Sequence, residues 1–204
     1  MPGRLFLETP ISALAAALGA VADPADEDGP RLNMAPGQDV RVLNGERRLV
    51  RMRWGLIPMG RKNARGRPVM ETIVNARSET VFDKSAFAGV ARGVVPADGW
   101  YEWTGQKGRK TAWRIARHDC TPLYFAAITD RWHGPGGTQV DQVATITCDP
   151  NADVRDIHHR MGAILSRTEV SIWLDGPPEA AQGLLKPLAD GTLRVEAMDV
   201  PPDG

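Results

Sequence analysis

Pro2, Asn75, Glu102 and His158 are the residues whose types suit chemistry on an aldehyde, with Arg4 and Arg77 placed to hold phosphates beside them. Removal of Met1 leaves Pro2 with a secondary amine. Such an amine attacks an aldehyde and, having no second proton to lose, becomes a permanently cationic iminium. The ordinary α-amino pKa of about 7.7–8.0 leaves a useful fraction unprotonated near neutrality. Methionine is generally trimmed ahead of proline, so exposure of Pro2 needs no self-cleavage. The competing reading is a proline that stiffens an exposed terminus.

Glu102 is a lone carboxylate in Gly99-Trp100-Tyr101-Glu102-Trp103, where Gly99 predicts a tight turn. Desolvation by the three aromatics would raise its pKa and suit it to move protons to and from a carbinolamine. A strand-edge carboxylate paired with an arginine is the alternative. His158 titrates near working pH. With His159 it lacks the H-E-x-x-H spacing of a metal site, and no metal or cofactor is expected. A purely structural histidine remains open. Asn75 can hold the terminal amine through its side-chain carbonyl. Arg77, two residues along a strand, shares its face and can meet a phosphate, as can Arg4. Trp100 and Trp103 either stack on bases or pack in the core. Cys148 is either an ordinary buried cysteine or a displaced nucleophile.

Several elements must position these groups. Thr9 as N-cap, Pro10 at the first helical position and Gly19 as the stop frame a helix over Ile11 to Leu18. Asn44-Gly45 predicts a type I′ hairpin between Val40–Leu43 and Arg47–Trp54, placing Arg51 and Arg53 on one face. Gly60 to Pro68 is basic, glycine-rich and aperiodic, a loop suited to ligand contacts through Arg65 and Arg67, leading into Val69 to Ala76. Further strands are predicted at Gly93–Pro96, Thr111–Ala116, Leu123–Ile128, Val140–Thr147 and Leu193–Val200. Gly134-Pro135-Gly136-Gly137 marks a turn. Asp149-Pro150 predicts a short helix, and Ser166 with Glu169 a capping box for a helix ending near Gly176. The mixture predicts an α+β, β-rich fold.

The 204 residues, 42% hydrophobic, predict one domain over residues 1–204 that needs no disulfide from Cys120 and Cys148. No apolar stretch approaches a membrane span or an export signal, so a cytoplasmic protein is expected. The net charge is +0, yet Gly45 to Arg77 holds nine basic residues against Glu46 and Glu71, a local excess of seven. That segment reads either as a phosphate-binding patch or as a solvated strand face.

Taken in order, Gly3-Arg4, Asn33-Met34-Ala35-Pro36-Gly37, Trp54-Gly55-Leu56-Ile57-Pro58, Asn75-Ala76-Arg77, Asp98-Gly99-Trp100-Tyr101-Glu102-Trp103 and Ile157-His158 resemble the SOS-response-associated peptidase (SRAP) family. The resemblance implies a barrel-like domain with short peripheral helices that binds single-stranded DNA or junctions, captures abasic sites covalently and removes its own initiator methionine. It puts Glu102 at the catalytic glutamate position and His158 at the position of the acid that opens the sugar ring. In the family a cysteine follows Met1 and closes a thiazolidine on the sugar aldehyde. Pro2 has no thiol and cannot close that ring. Its iminium at C1′ acidifies the C2′ proton and favours elimination of the 3′ phosphate, so strand cleavage or a transient adduct is expected. His159 stands where aspartate is commoner, and Gly162 where proline is expected. The reading is an abasic-site-reactive, monomeric DNA-binding protein, nucleoid-associated when bound. Two alternatives stand: a non-catalytic single-stranded-DNA-binding module, and a peptidase acting in trans.

Overall fold

The computed structural model describes residues 2–23, 27–58, 65, 72–83, 89–106 and 108–199. Along these the chain runs β1 (Leu5–Leu7), α1 (Ile11–Leu18), β2 (Arg31–Met34), β3 (Asp39–Leu43), β4 (Leu49–Trp54), β5 (Asn75–Arg77), β6 (Ala91–Ala97) and β7 (Gly99–Gln106). It continues as β8 (Arg109–Arg117), β9 (Leu123–His133), β10 (Gln139–Cys148), β11 (Met161–Gly162), β12 (Ile164–Leu165), α2 (Glu169–Asp175), α3 (Pro178–Gly183) and β13 (Leu193–Met198). The fold is strand-rich with three short helices among the described residues, as the β-rich reading expects.

Five of these strands close on themselves. β10 pairs with β4, β4 with β3, β3 with β6, β6 with β9, and β9 returns to β10. Closure satisfies backbone groups that an open sheet would leave unpaired at its edges. Val94, Val95, Phe125, Val143 and Ile146 from these strands are fully buried, each worth about 1.5–3 kcal/mol of transfer free energy. The β10–β4 contact is parallel and spans only Gln142–Val143 against Arg53–Trp54. Past it, β10 takes β5 as its parallel partner, with Thr145 opposite Asn75 and Thr147 opposite Arg77.

A second, antiparallel sheet has the order β13-β8-β7-β1-β2. Trp100 ties it to the barrel, meeting Phe125 edge-on with ring centroids 5.8 Å apart. On its other side Phe6 and Tyr101 form a small cluster, with the Arg114 guanidinium 4.2 Å above the Phe6 ring.

Local details correct several expectations. Gly99 begins strand β7 and makes no tight turn. A Cβ there would lie 2.1 Å from the Ile115 carbonyl oxygen and 2.5 Å from the Phe6 ring, so its bare Cα is needed for close packing. The hairpin at Asn44-Gly45 forms, but with a longer turn: Leu43 pairs with Leu49, and the positive φ of 59° falls on Arg47. Asn44 Oδ1 accepts from the amides of Glu46 and Arg48, an Asx-type arrangement that competes with the type I′ geometry. Helix α1 ends at Gly19 (φ 60°) as expected, but Thr9 does not cap it. The Thr9 hydroxyl donates to Asp98, and the Glu27 carboxylate accepts the first helical amides, those of Ile11 and Ser12. No helix follows Asp149-Pro150; residues 152–157 are successive turns. The capping box is formed: the Ser166 amide donates to Glu169 Oε2 at 2.7 Å and the Glu169 amide to Ser166 Oγ at 3.3 Å. A turn at Pro135–Gly137 joins β9 to β10.

Candidate active site

The antiparallel pairing of β1 with β7 brings the chain's beginning to the site. Leu5 sits opposite Trp100 and Phe6 opposite Gly99, and the Tyr101 amide donates to the Arg4 carbonyl at 2.9 Å. The same register carried one residue further sets Gly3 opposite Glu102. From the barrel side, Asn75 Nδ2 donates to the Pro2 carbonyl at 3.0 Å, while Asn75 Oδ1 accepts from the Thr145 hydroxyl at 2.5 Å. Each end of the Asn75 amide has a partner, and what its nitrogen holds is the Pro2 carbonyl. Pro2 is buried, and with Met1 attached its nitrogen is an amide.

Glu102 follows Trp100 by two residues, so both side chains leave the same face of β7. It is 6% exposed. Burial raises its pKa above the ordinary carboxylate value, partly offset by the positive chain terminus and the Trp100 indole. A carboxyl held in this way keeps its proton to higher pH and can give it up to an oxygen.

His158 follows the run of turns from Asn151, where the Val154 carbonyl accepts the His158 amide at 2.9 Å. Its ring is half-buried, and Nδ1 lies 3.0 Å from the Arg160 amide nitrogen and 3.1 Å from the Arg160 carbonyl oxygen. When Nδ1 is bare it accepts from the Arg160 N–H; when protonated it donates to the Arg160 carbonyl. Either tautomer is satisfied, which leaves Nε2 to exchange protons. Burial lowers the His158 pKa below its ordinary value, assisted by the positive chain terminus and by His159. The His159 ring stacks on it, with centroids 4.4 Å apart and planes 24° apart.

Sequence reasoning passed over Arg160, although a basic residue two positions beyond His158 in a turn was visible. It is 9% exposed. Its guanidinium donates twice to the Glu79 carboxylate (2.5 and 3.0 Å), to Asp149 Oδ1 at 3.0 Å and to the Thr147 carbonyl at 2.6 Å. The Arg160 hydrogen bonds in turn hold the Glu79 carboxyl below its ordinary pKa. Four bonds from one buried cation fix the backbone that cradles His158.

The remaining candidates divide. Arg77 is exposed beside Asn75, and among the described residues no acidic side chain pairs with it or with half-buried Arg4. Arg51 is paired with Asp28 at 2.7 Å, and Arg53 donates to the Gly55 carbonyl at 2.8 Å. Arg47 is paired with Asp175. Two of the basic residues in the expected patch are thus paired with carboxylates. Arg65 is exposed; Arg67 and most of the loop from Gly60 to Pro68 lie outside the described residues. Trp100 is 0% exposed, so it cannot stack on a base; it is a core residue. Cys148 is buried and its thiol is pushed up to about 12, which removes it as a nucleophile. Among the described residues no three His, Cys, Asp or Glu side chains converge as metal ligands would, and no helix is long and apolar enough to cross a membrane.

The family model described as SOS response associated peptidase (SRAP) matches residues 1–201. The chain is 32% identical over 174 residues to the abasic site processing protein YoqW of Bacillus subtilis (strain 168), covering 80% of this chain and 76% of that protein. It is 34% identical over 171 residues to the abasic site processing protein HMCES of Gallus gallus, covering 71% of this chain and 51% of that protein. Among solved structures, a protein of Bacteroides thetaiotaomicron superposes with TM-score 0.83 at 23% identity, covering 96% of this chain and 91% of that one. A protein of Bordetella bronchiseptica gives 0.80 at 24% identity, covering 98% and 100%.

Proposed function

The chain belongs to the SOS response associated peptidase (SRAP) family, and from that membership we propose that it processes abasic sites in single-stranded DNA through the secondary amine of Pro2, freed by removal of Met1. The observation that carries this reading is convergence at the chain's start. Asn75 holds the Pro2 carbonyl, and the positive terminus that acts on both buried Glu102 and half-buried His158 stands one residue ahead of Pro2, so removal of Met1 moves that charge to the Pro2 nitrogen. This supports a reading in which the Pro2 nucleophile, a proton-holding carboxyl and an imidazole act together, as a carbonyl condensation requires.

His158 gives a proton to the ring oxygen of the closed sugar, the bond from that oxygen to C1′ breaks, and the C1′ hydroxyl loses its proton to water, leaving the aldehyde. The Pro2 nitrogen adds to C1′, and its proton passes through Glu102 to the former carbonyl oxygen, giving a carbinolamine. Glu102 then protonates that hydroxyl, water leaves, and the nitrogen lone pair forms the iminium. The Glu102 carboxylate left by that step takes the C2′ proton, giving an enamine. Its electron pair expels the 3′ phosphate from C3′, and water finally hydrolyses the conjugated iminium, returning the amine and releasing an unsaturated aldehyde. Arg77 and Arg4 hold the flanking phosphates.

Borohydride reduction during incubation with an abasic oligonucleotide tests this chemistry. Methionine-free protein should give a trapped adduct whose mass is that of protein plus oligonucleotide less one oxygen, and cleaved strand when borohydride is left out. Saturated binding without any trapped species would remove the covalent proposal.

A second reading is a DNA-binding module without covalent chemistry, and the burial of Pro2 favours it. Pro2→Ala separates the two, since alanine offers a primary amine. Adduct yield that changes with this substitution supports the amine; binding by both proteins with no adduct from either supports the module.

A further inference from the structure

We propose that the stacked His158–His159 pair is a platform for a nucleobase flanking the abasic site, with the outer face of His159 as the contact surface; this rests on the reading that the protein binds abasic single-stranded DNA. The rings are 4.4 Å apart and inclined by 24°. His158 is half-buried and His159 exposed. The stack covers one face of the His159 ring, and the residue is nonetheless exposed. The stack sets the His159 ring directly against the imidazole assigned to the reacting sugar, within reach of an adjoining nucleotide.

The substrate supplies the complementary need. An abasic position removes a base from the stack and leaves a neighbouring base with one bare face. An exposed aromatic plane restores that contact without reading sequence, because every base has a π-face. Trp100 is buried and cannot serve. Exposed Arg77 on the neighbouring strand β5 supplies the charge for the adjacent backbone.

The test uses a single-stranded oligonucleotide carrying a non-reactive tetrahydrofuran abasic analogue, with 2-aminopurine immediately 5′ or 3′ of it. Binding is read by anisotropy of a distal dye. On binding, 2-aminopurine emission should be quenched on one side of the analogue. His159→Tyr, which keeps an aromatic plane, should retain the quench. His159→Ala and His159→Lys should lose it, with affinity of the alanine variant falling roughly five- to hundredfold, the range expected for one base–aromatic stack. Quenching preserved in the alanine variant, or preserved in lysine and lost in tyrosine, overturns the platform; the latter pattern makes His159 a charge contact. Failure of the unaltered protein to bind at all overturns the abasic-DNA reading along with the platform, whereas binding without any quench overturns the platform alone.

Discussion

Asn75 grips the carbonyl of Pro2, at 3.0 Å. Holding the residue by its carbonyl restricts where the nitrogen, once freed of Met1, can point. Thr145 braces the arrangement by donating to the Asn75 carbonyl oxygen.

Asn75→Ala should therefore slow borohydride trapping about 10- to 100-fold, the cost of a misplaced reactant, while lowering stability by only about 1 kcal/mol for one hydrogen bond. Trapping rate and thermal midpoint measured on the same methionine-free protein check this. An unchanged rate would remove Asn75 from the positioning role.

Glu102 sets activity against stability. Its folded pKa is raised, so folding favours the protonated form, and stability is highest below the ordinary carboxylate pKa and falls as pH rises through the folded value. Glu102→Gln mimics the protonated state. It should be more stable than the parent at pH 7 by roughly 1–2 kcal/mol, with the difference closing near pH 4. Trapping should fall about 10²–10⁴-fold. Denaturant titrations at both pH values, with trapping rates, decide the matter; equal stability at pH 7 would contradict a desolvated carboxylate.

Glu79 acts on the imidazole only through Arg160. Glu79→Gln keeps one acceptor oxygen for the nearly buried guanidinium but removes the charge and the second acceptor, leaving Asp149 as the carboxylate shown paired with it. A stability loss of about 1–2 kcal/mol is expected, discounted because Glu79 is itself half exposed. The parent's Glu79 pKa is lowered, so this contribution is present above the ordinary carboxylate value and disappears as pH falls through the folded one. The variant should lose that acid-side slope. It should also shift the His158 midpoint in an NMR titration, which in the parent lies below the ordinary 6.5. A shared midpoint in parent and variant would show that the ion pair is structural only.

Gly99→Ala should be among the most damaging single-methyl additions, because the new carbon meets the Ile115 carbonyl and the Phe6 ring. A loss of about 2–3 kcal/mol is expected from overpacking against backbone. The variant's thermal midpoint checks it, and a loss under half that size would mean that β1 and β7 can separate at no cost.

Legibility from sequence followed the range of the interactions. The capping box of Ser166 and Glu169, the Gly19 stop and the long apolar strands are written in neighbouring residues, and each is found in place. The Asn44-Gly45 turn and the helix at Asp149 were misjudged because local propensity yielded to other contacts: the Asn44 side chain bonds its own turn, and Asn151 organises turns after Pro150. Strand β1 was missed because three residues carry too little alternation to announce themselves, and Gly99 because a glycine needed for packing looks like one needed for bending. Glu102 and His158 were visible by type and by motif. Arg160 was not, since its acceptors at Glu79 and Thr147 are distant in sequence and only the fold assembles them.

β10 gives both arms of the site a common mechanical root. Its Thr145 hydroxyl steadies Asn75, and two residues on its Thr147 carbonyl receives Arg160. Because strand side chains alternate, sliding this one segment by a single position against β5 would turn the threonine hydroxyl away and carry off the acceptor in the same motion. Injuries to β10 should thus disable the amine's holder and the imidazole's cradle together, and an evolving lineage could not retune one arm through this strand without disturbing the other.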